Sequence, residues 1–289
     1  MKYYVLFNPL AGNNSSESET KTLSNVLPND ELVFIDMTKL EGYQKFFSEL
    51  EADAGVIISG GDGTLNRFIN DTDCCEYKNS ISYYATGSGN DFLRDIGGQK
   101  GQVINIDKYI RDLPTVVVKG KSYKVLNGVG YGIDGYCCEV GDEHRKIPGK
   151  KINYTAIAIK GVLFHYNSKK AAVTVDGVRH EFKKVWLAPT MNGRFYGGGM
   201  IPTPDQDRLD PDRKLSTLIY HNAGRLKALI VFPSIFKGEH IKHTKMCNVL
   251  TGNEIKIEFD KPSALQIDGE TILGVTEYTM TLKSTVKTK

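Results

Sequence analysis

The sequence predicts two domains, an α/β domain with a mostly parallel sheet followed by an all-β sandwich. Over roughly the first 118 residues, short β-rich runs alternate with helical patterns, which is typical of βαβ units. Strand patterns dominate the rest of the chain, as in an antiparallel sandwich. Two Asp-Gly pairs, Asp176-Gly177 and Asp268-Gly269, lie between strand patterns and indicate tight hairpins.

The first domain is predicted from four strands separated by helical patterns. The strands lie at residues 3–7, 32–35, 56–59 and 81–85. Residues 42–50 form one of the helical patterns, and another helix begins near Thr64. Residues 56–59 are a mostly apolar run between Gly55 and Gly60, which indicates a buried strand.

The second domain is predicted mainly from strands. After Pro114 they lie at residues 115–118, 123–126, 171–175, 178–188, 214–220, 254–259, 264–267 and 277–282. Helical patterns remain only near residues 154–164 and 225–236. We divide the chain into residues 1–118 and 119–289, and leave open whether the last strand returns to the first domain. Ligand sites are common between domains, so we expect the functional site in a cleft there.

Composition and charge narrow the class of protein. The chain has 289 residues, a net charge of +3 and a pI of about 8.4. This charge is too weak to indicate a nucleic-acid partner, but it permits contact with an anionic membrane surface. No apolar run reaches the roughly 18 residues that a spanning helix needs. Five cysteines without Cys-x-x-Cys spacing, and no signal-peptide pattern, predict reduced thiols in the cytoplasm.

The strongest chemical signal is Gly60-Gly61-Asp62-Gly63-Thr64, which lies between a predicted strand and a predicted helix. Glycine lets a backbone approach a phosphate closely, and N–H groups at a helix N-terminus point toward the anion. The carboxylate of Asp62 suggests a magnesium ion, held directly or through water, or help to an acceptor hydroxyl. The alternative is a plain strand-to-helix turn with Asp62 as N-cap. No lysine follows the glycines, so this is not the Walker pattern.

Other strand ends in the first domain carry similar groups. A second glycine-rich loop, Thr86-Gly87-Ser88-Gly89-Asn90-Asp91-Phe92, follows the strand at residues 81–85. The first strand ends in Asn8-Pro9-Leu10-Ala11-Gly12, and Thr38 follows the second. The carboxyl ends of parallel strands meet at one edge of a sheet, so we expect these groups to form one cradle for phosphate and ribose.

Together these motifs resemble the bacterial diacylglycerol kinase catalytic family, which includes sphingosine-kinase-like enzymes. Further motifs that carry the resemblance, in the order of the family, are Asn127-Gly128-Val129-Gly130-Tyr131-Gly132-Ile133-Asp134, Asn192 with Tyr196-Gly197-Gly198-Gly199-Met200, and Ile267-Asp268-Gly269-Glu270. The first glycine loop alone also occurs in NAD kinases and phosphofructokinases. The combination is more specific, and it spans nearly the whole chain.

The resemblance implies a phosphofructokinase-like nucleotide domain, a C-terminal β-sandwich and an ATP-dependent lipid kinase. It implies that Glu270 is the catalytic base, which accepts the proton of the acceptor hydroxyl; alternatively, Glu270 is a solvated strand residue after a turn. Asp62 would hold the metal or its water network. The ATP-binding residues implied are Asn8, Pro9, Ala11, Gly12, Thr38, Gly60, Gly61, Asp62, Gly63, Thr64, Asn66 and Ser88. We expect Asp62→Ala and Glu270→Ala each to abolish turnover with the fold intact.

The resemblance also implies a structural Mg²⁺ site. By alignment its ligands are the carboxylate of Asp212 and the main-chain carbonyls of Leu209 and Lys214. Arg213 stands where the family usually has glycine, so a positive φ at this position would strain the backbone.

The partners expected from this reading are ATP with Mg²⁺, a lipid alcohol and, transiently, a membrane surface. A homodimer stays open. For the helical patterns at residues 154–164 and 225–236 we favour core packing over membrane contact. Two other functions also stay open, a small-molecule kinase of the NAD kinase type and a non-catalytic regulator that binds nucleotide or lipid.

Overall fold

The computed structural model describes residues 1–11, 16–72, 77–87, 90–147 and 152–282. The chain divides into unit 1, Met1–Leu113, and unit 2, Pro114–Lys289. The elements of unit 1 are β1 (Lys2–Phe7), α1 (Ser16–Lys21), α2 (Leu23–Val26), β2 (Glu31–Asp36), α3 (Tyr43–Glu49), β3 (Gly55–Gly60), α4 (Asp62–Asp71), β4 (Ile81–Ala85), α5 (Asp91–Asp95), β5 (Val103–Asn105) and α6 (Asp107–Ile110).

Unit 1 is built on a five-stranded sheet in the order β2-β1-β3-β4-β5. The strands β1 to β4 are parallel, and β5 is antiparallel to β4. All six residues of β3 are buried, because this central strand is covered on both faces, as parallel sheets require. The predicted α/β class with a mostly parallel sheet is confirmed.

Unit 2 is mainly antiparallel. Its elements are β6 (Thr115–Val118), β7 (Lys121–Lys124), β8 (Gly128–Tyr131), α7 (Ile133–Arg145), α8 (Tyr154–Lys160), a π-helical segment (Gly161–His165), β9 (Lys169–Val175), β10 (Val178–Val185), β11 (Thr190–Met191), β12 (Leu215–Tyr220), α9 (Arg225–Val231), a 3₁₀ segment (Phe232–Lys237), a second 3₁₀ segment (Glu239–Lys242), β13 (Cys247–Gly252), β14 (Glu254–Ile267) and β15 (Glu270–Thr281).

The long strand β14 connects the two layers of unit 2. The main strand order is β13-β12-β11-β8-β14-β15-β6-β7, and β9 joins β14 to β10. The first half of β14 pairs with β9 and its last three residues pair with β8, with register irregularities in between. Its apolar side chains, such as Ile255, Ile257 and Leu265, enter one buried core. The predicted sandwich is confirmed.

The structure differs from the expectations in two details and answers a third, which the sequence left open. The compact units divide after Leu113, whereas the expected domains divide after Val118. The last strand, β15, pairs with β14 and with β6, which the expected division placed in the first domain and which lies in unit 2. Helix α7 lies in a region where no helix was expected.

Candidate active site

The carboxyl ends of the four parallel strands of unit 1 lie side by side. Phe7 at the end of β1 is in register with Asp36 of β2 and with Ser59 of β3. Gly60 of β3 is in register with Ala85 of β4. The turns that follow these strands therefore share one edge of the sheet, as the sequence predicts.

The turn after β1 is closed by Asn8. Its side-chain Oδ1 accepts a 3.0 Å hydrogen bond from the N–H of Leu10, and its main-chain oxygen accepts one of 3.1 Å from Ala11. Pro9 fits this turn because it has no N–H to donate. Gly12, which was expected to complete the site, lies outside the described residues.

After β2, the Asp36 side chain holds Thr38. Oδ1 of Asp36 accepts from the Thr38 hydroxyl at 2.6 Å and from its N–H at 2.9 Å. The hydroxyl hydrogen bond is the largest factor that lowers the pKa of Asp36. The hydroxyl of Thr38 thus donates inward to Asp36, and its lone pairs stay able to accept a hydrogen bond.

The first glycine loop is held tightly to the sheet at Gly60. The carbonyl of Gly60 accepts from the Tyr83 hydroxyl at 2.9 Å and from the Thr86 N–H at 3.0 Å. A Cβ atom at Gly60 would lie 2.4 Å from Oγ1 of Thr64, so Thr64 packs where only glycine leaves room.

The two glycine loops are in direct contact through their backbones. A Cβ atom at Gly87 would lie 2.7 Å from the Cα of Gly61, so a side chain at Gly87 would push the loops apart. The carbonyl of Gly87 accepts a 2.7 Å hydrogen bond from the Asn90 side chain, which closes the second loop. Ser88, an expected ATP contact in this loop, lies outside the described residues.

Asp62 links the two loops. It is the first residue of α4, with Gly61 at the N-cap position. Its carboxylate oxygens accept hydrogen bonds from the N–H groups of Asp91 at 2.7 Å and Phe92 at 3.3 Å. Asp62 therefore caps α5 rather than its own helix, a positioning role that the local sequence does not indicate.

Gly63 and Asn66, two further candidate residues of the first glycine loop, differ in their burial. Gly63 is exposed, and a Cβ atom there would meet no other atom within 4 Å. Asn66 is buried in the second turn of α4, where its side-chain oxygen accepts a 2.9 Å hydrogen bond from Asn70. Gly63 thus has open space in front of it, whereas Asn66 lies inside the helix packing.

In unit 2, Glu270 lies at the tip of a tight hairpin. Asp268 and Gly269 have φ values of 47° and 96°, and Ile267 pairs with Glu270 across the turn. Two successive positive φ values are the signature of a type I′ turn, for which Asp-Gly is a preferred pair. Glu270 is exposed, so its carboxylate is accessible to a group outside the chain.

The carboxylate of Asp268 ties this hairpin to the segment before β8. It accepts three backbone hydrogen bonds, from Leu126 at 2.6 Å, Asn127 at 2.8 Å and Gly128 at 3.0 Å. Burial raises the pKa of the Asp268 carboxyl to about 6, and the same three N–H groups oppose this shift. Asp268 is more than a turn residue, because it fixes the position of the neighbouring Glu270.

Buried polar side chains lie behind this segment. Arg208 donates to the carbonyl of Leu126 at 3.2 Å and to the side chain of Asn127 at 2.9 Å. Asn192 donates to the same Leu126 carbonyl at 2.8 Å. Local sequence gives no signal for Arg208, since its partners lie more than 80 residues earlier in the chain.

The expected metal-binding loop has the backbone shape that glycine would favour. Arg213 has a φ of 42°, so the positive φ considered from the sequence is present. The carbonyl of Lys214 accepts from the Gln206 side chain at 2.8 Å. Asp207 and Asp210 accept from the N–H groups of Leu209 and Asp212, so both shape the loop.

The donor set of this loop fits Mg²⁺ in its chemistry. The Asp212 carboxylate and the carbonyls of Leu209 and Lys214 are all hard oxygen ligands, and the hydrogen bond to Lys214 leaves its carbonyl a second lone pair. A cavity of about 460 Å³ borders the loop and is lined in part by Asp205, Asp210 and Asp212. No cluster of three or more His, Cys, Asp or Glu side chains suited to a metal occurs in the part of the chain that the structure describes.

A buried carboxylate at Asp134 was not among the predicted site residues. Oδ2 of Asp134 accepts a 2.9 Å hydrogen bond from the side chain of Gln266. Burial raises the pKa of Asp134 to about 6. The side-chain oxygen of Gln266 in turn accepts from the N–H of Gly269. Gln266 thus links Asp134 to the hairpin that carries Glu270.

Two family models match the chain. Residues 2–121 match the diacylglycerol kinase catalytic domain, and residues 127–283 match the YegS C-terminal NAD kinase beta sandwich-like domain. None of the described helices is long and apolar enough to cross a membrane.

Two proteins with similar sequences are named as lipid kinases. The "Putative lipid kinase YtlR" of Bacillus subtilis is 26% identical over 247 residues, covering 77% of this chain and 75% of that protein. A "Putative lipid kinase" of Staphylococcus aureus strain Newman is 27% identical over 231 residues, covering 74% and 70%. Among solved structures, a "putative diacylglycerol kinase" of Bacillus anthracis aligns with a TM-score of 0.65 and 18% identity, covering 97% of this chain and 91% of that one. This alignment supports the fold.

Proposed function

This chain belongs to the family that combines a diacylglycerol kinase catalytic domain with a YegS C-terminal domain, and we propose that it transfers the γ-phosphate of ATP to a hydroxyl of diacylglycerol or a related lipid alcohol. The observation that carries the proposal is the junction of the two glycine loops in unit 1. There Gly61 and Gly87 meet backbone to backbone, and the Asp62 carboxylate fastens one loop to the other.

The junction suits a triphosphate for two reasons. The amino end of a helix carries a partial positive charge, so the N-terminus of α4 favours an anion in front of it. Gly63 has open space at this N-terminus, so a phosphate can approach the backbone closely. Asn8 and Thr38 follow neighbouring strands and would contact the remainder of the nucleotide.

In unit 2, Glu270 would act as the general base. An exposed carboxylate can accept the proton of the acceptor hydroxyl as its oxygen attacks the γ-phosphorus. The bond from phosphorus to the β,γ-bridging oxygen then breaks and ADP leaves. Asp268 would serve this step indirectly, since its three backbone hydrogen bonds hold the hairpin in place.

Magnesium enters the proposal in two places. Mg²⁺ bound with ATP would offset the charge of the phosphates. The oxygen ligands of Leu209, Asp212 and Lys214 would hold a second, structural ion. We further propose that the protein works in the cytoplasm at the periphery of a membrane, because its acceptor is a lipid.

The test is a phosphorylation assay with labelled ATP and Mg²⁺. Purified protein is offered diacylglycerol in mixed micelles, a total lipid extract and NAD in parallel, and each product is identified by mass. A phosphorylated lipid, with no labelled product from NAD, supports the proposal. Labelled NADP in place of a lipid product would contradict it.

ATP binding without any turnover would also contradict the proposal and favour a regulator. The control is Glu270→Gln, which keeps the size of the side chain but removes its basicity. If Glu270→Gln keeps full activity, the lipid product does not arise from the mechanism proposed here.

A further inference from the structure

Helix α9 has apolar side chains on two opposite faces. Ala228 and Val231 are buried against unit 2, whereas Leu226 and Ile230 are 70% and 71% exposed. The latter two are four residues apart and so share one face of the helix. An amphipathic surface helix is apolar on one side only, so the outer face of α9 needs an explanation other than the core.

The segments next to α9 and before it also expose large apolar side chains. Phe164 in this segment is 73% exposed, and Ile159 at the end of α8 is 45% exposed. Arg225 donates hydrogen bonds to the main-chain oxygens of Val162 and Tyr166, which fixes the start of α9 against this segment. We call Ile159, Phe164, Leu226 and Ile230 the apolar patch.

The two segments that carry the apolar patch contain basic but no acidic side chains. Residues 152–167 and 222–238, which contain the patch, include no Asp or Glu. Lys160, Lys227 and Lys237 in these segments are exposed. Within the described residues, none of the three forms an ion pair with an acidic side chain. The segments that carry the patch therefore expose both large apolar side chains and lysines, with no acidic residue among them.

We infer that the apolar patch is a docking surface for an anionic lipid bilayer. Helices that lie at the bilayer interface insert apolar side chains below the headgroups, with lysines beside them attracted to anionic lipids. The surface has the apolar residues and the cations that such a bilayer binds. The inference rests on the proposed function, for which it names the surface that brings the enzyme to its acceptor. It also revises our preference for core packing at these two helices, which pack inward and also expose large apolar side chains.

The test measures vesicle binding by co-sedimentation of the full chain without nucleotide. Vesicles contain phosphatidylcholine alone or with phosphatidylglycerol. The variant Leu226→Gln with Ile230→Gln removes apolar surface and keeps good helix formers. The matched control is Val117→Gln with Val178→Gln, two exposed valines on strands. We expect the α9 variant to bind anionic vesicles at least tenfold more weakly, and the control to bind like the wild type.

A second variant tests the charge. Lys160→Gln, Lys227→Gln and Lys237→Gln together should weaken binding to anionic vesicles about tenfold without changing binding to neutral ones. Added salt should weaken wild-type binding in the same way, because it screens exposed charges. The control changes three exposed lysines on other elements, Lys78, Lys108 and Lys121, to glutamine.

Unchanged vesicle binding in both variants would overturn the inference. So would a shift from dimer to monomer in the α9 variant with vesicle binding intact, since the patch would then bind a second copy. The readout is independent of turnover: vesicle binding without lipid phosphorylation would count against the proposed function alone. Conversely, phosphorylation of a short-chain, water-soluble acceptor should be equal in the wild type and the α9 variant.

Discussion

The Asp62 carboxylate accepts a 2.7 Å hydrogen bond from the backbone N–H of Asp91, and so fastens the first glycine loop to the second. The sequence alone predicts that Asp62→Ala leaves the fold intact. The hydrogen bond to Asp91 predicts instead that this substitution lowers the stability of the protein. Removing the acceptor leaves part-buried N–H groups without a partner, which costs about 1–3 kcal/mol. We expect both Asp62→Ala and Asp62→Asn to lose turnover, and the urea midpoint to fall more in Asp62→Ala than in Asp62→Asn, which keeps one acceptor oxygen. Asp53→Ala, at an exposed carboxylate of the same unit, should change neither.

The contact between Gly87 and Gly61 can be tested with a single methyl group. Gly87→Ala places a Cβ atom 2.7 Å from the Cα of Gly61. Such overpacking costs about 1–3 kcal/mol, so stability and ATP affinity should both fall. Gly63→Ala adds the same methyl group in open space within α4; it should leave the melting temperature unchanged or raise it slightly, because alanine favours helix, and should weaken ATP binding. Equal melting temperatures of the two variants would show that the loops do not depend on this contact.

Glu270→Gln separates catalysis from stability. The side chain is exposed at the hairpin tip, so the substitution should leave the unfolding midpoint and ATP affinity unchanged. Loss of a general base lowers turnover by about 10²–10⁴-fold. Lipid phosphorylation and nucleotide titration measure the two effects, and Glu254→Gln, at another exposed glutamate, should stay fully active. A larger loss of stability than of turnover would assign Glu270 a structural role.

The contribution of Asp134 to the free energy of unfolding should decrease as pH rises from about 4 to 6. Burial raises its folded-state pKa from 3.8 to about 6, so across this range the folded state keeps a proton that the unfolded state loses. Its contribution is fully present below pH 3.8 and is lost as pH rises through 6. Asp134→Asn, which can still accept from Gln266, should show a smaller loss of unfolding free energy between pH 4 and 6. Parallel pH profiles for the two proteins would contradict this prediction.

The positive φ of Arg213 can be tested by comparing two replacements. Arg213→Gly and Arg213→Ala both remove the side chain and its contacts, but only glycine adopts a φ of 42° without strain. The left-handed conformation costs other residues about 1–2 kcal/mol, which the greater freedom of glycine in the unfolded chain partly offsets. We expect the glycine variant to be about 1 kcal/mol more stable than the alanine variant in urea unfolding.

The sequence predicts best those strands and turns whose backbone conformation is set by neighbouring residues. The strand at residues 81–85 is observed at Ile81–Ala85, and both Asp-Gly pairs form hairpin turns with two positive φ values. The predicted gap between residues 259 and 264 is absent, because β14 continues past Pro262 through a register irregularity, a position where a strand tolerates proline.

Tertiary contacts explain what the sequence did not predict. Gly135 and Gly141 lower the helix propensity of α7, yet a Cβ atom at Gly135 would lie 2.0 Å from the oxygen of Ala264. The close approach of β14 therefore requires glycine inside a helix. The roles of Asp62 and Arg208 were missed for the same reason, because their partners are distant in the sequence.

The pairing of β14 and β15 with much earlier strands has a consequence for how the chain folds. Thr115 of β6 pairs with Thr281, and Tyr131 of β8 pairs with Leu265, whereas the sheet of unit 1 is complete by Asn105. During synthesis unit 1 can fold as soon as it leaves the ribosome, since domains fold as units in order of emergence. The edges of β6 and β8 that pair with β15 and β14 must wait for more than a hundred further residues, and until then these unpaired edges are accessible to chaperones.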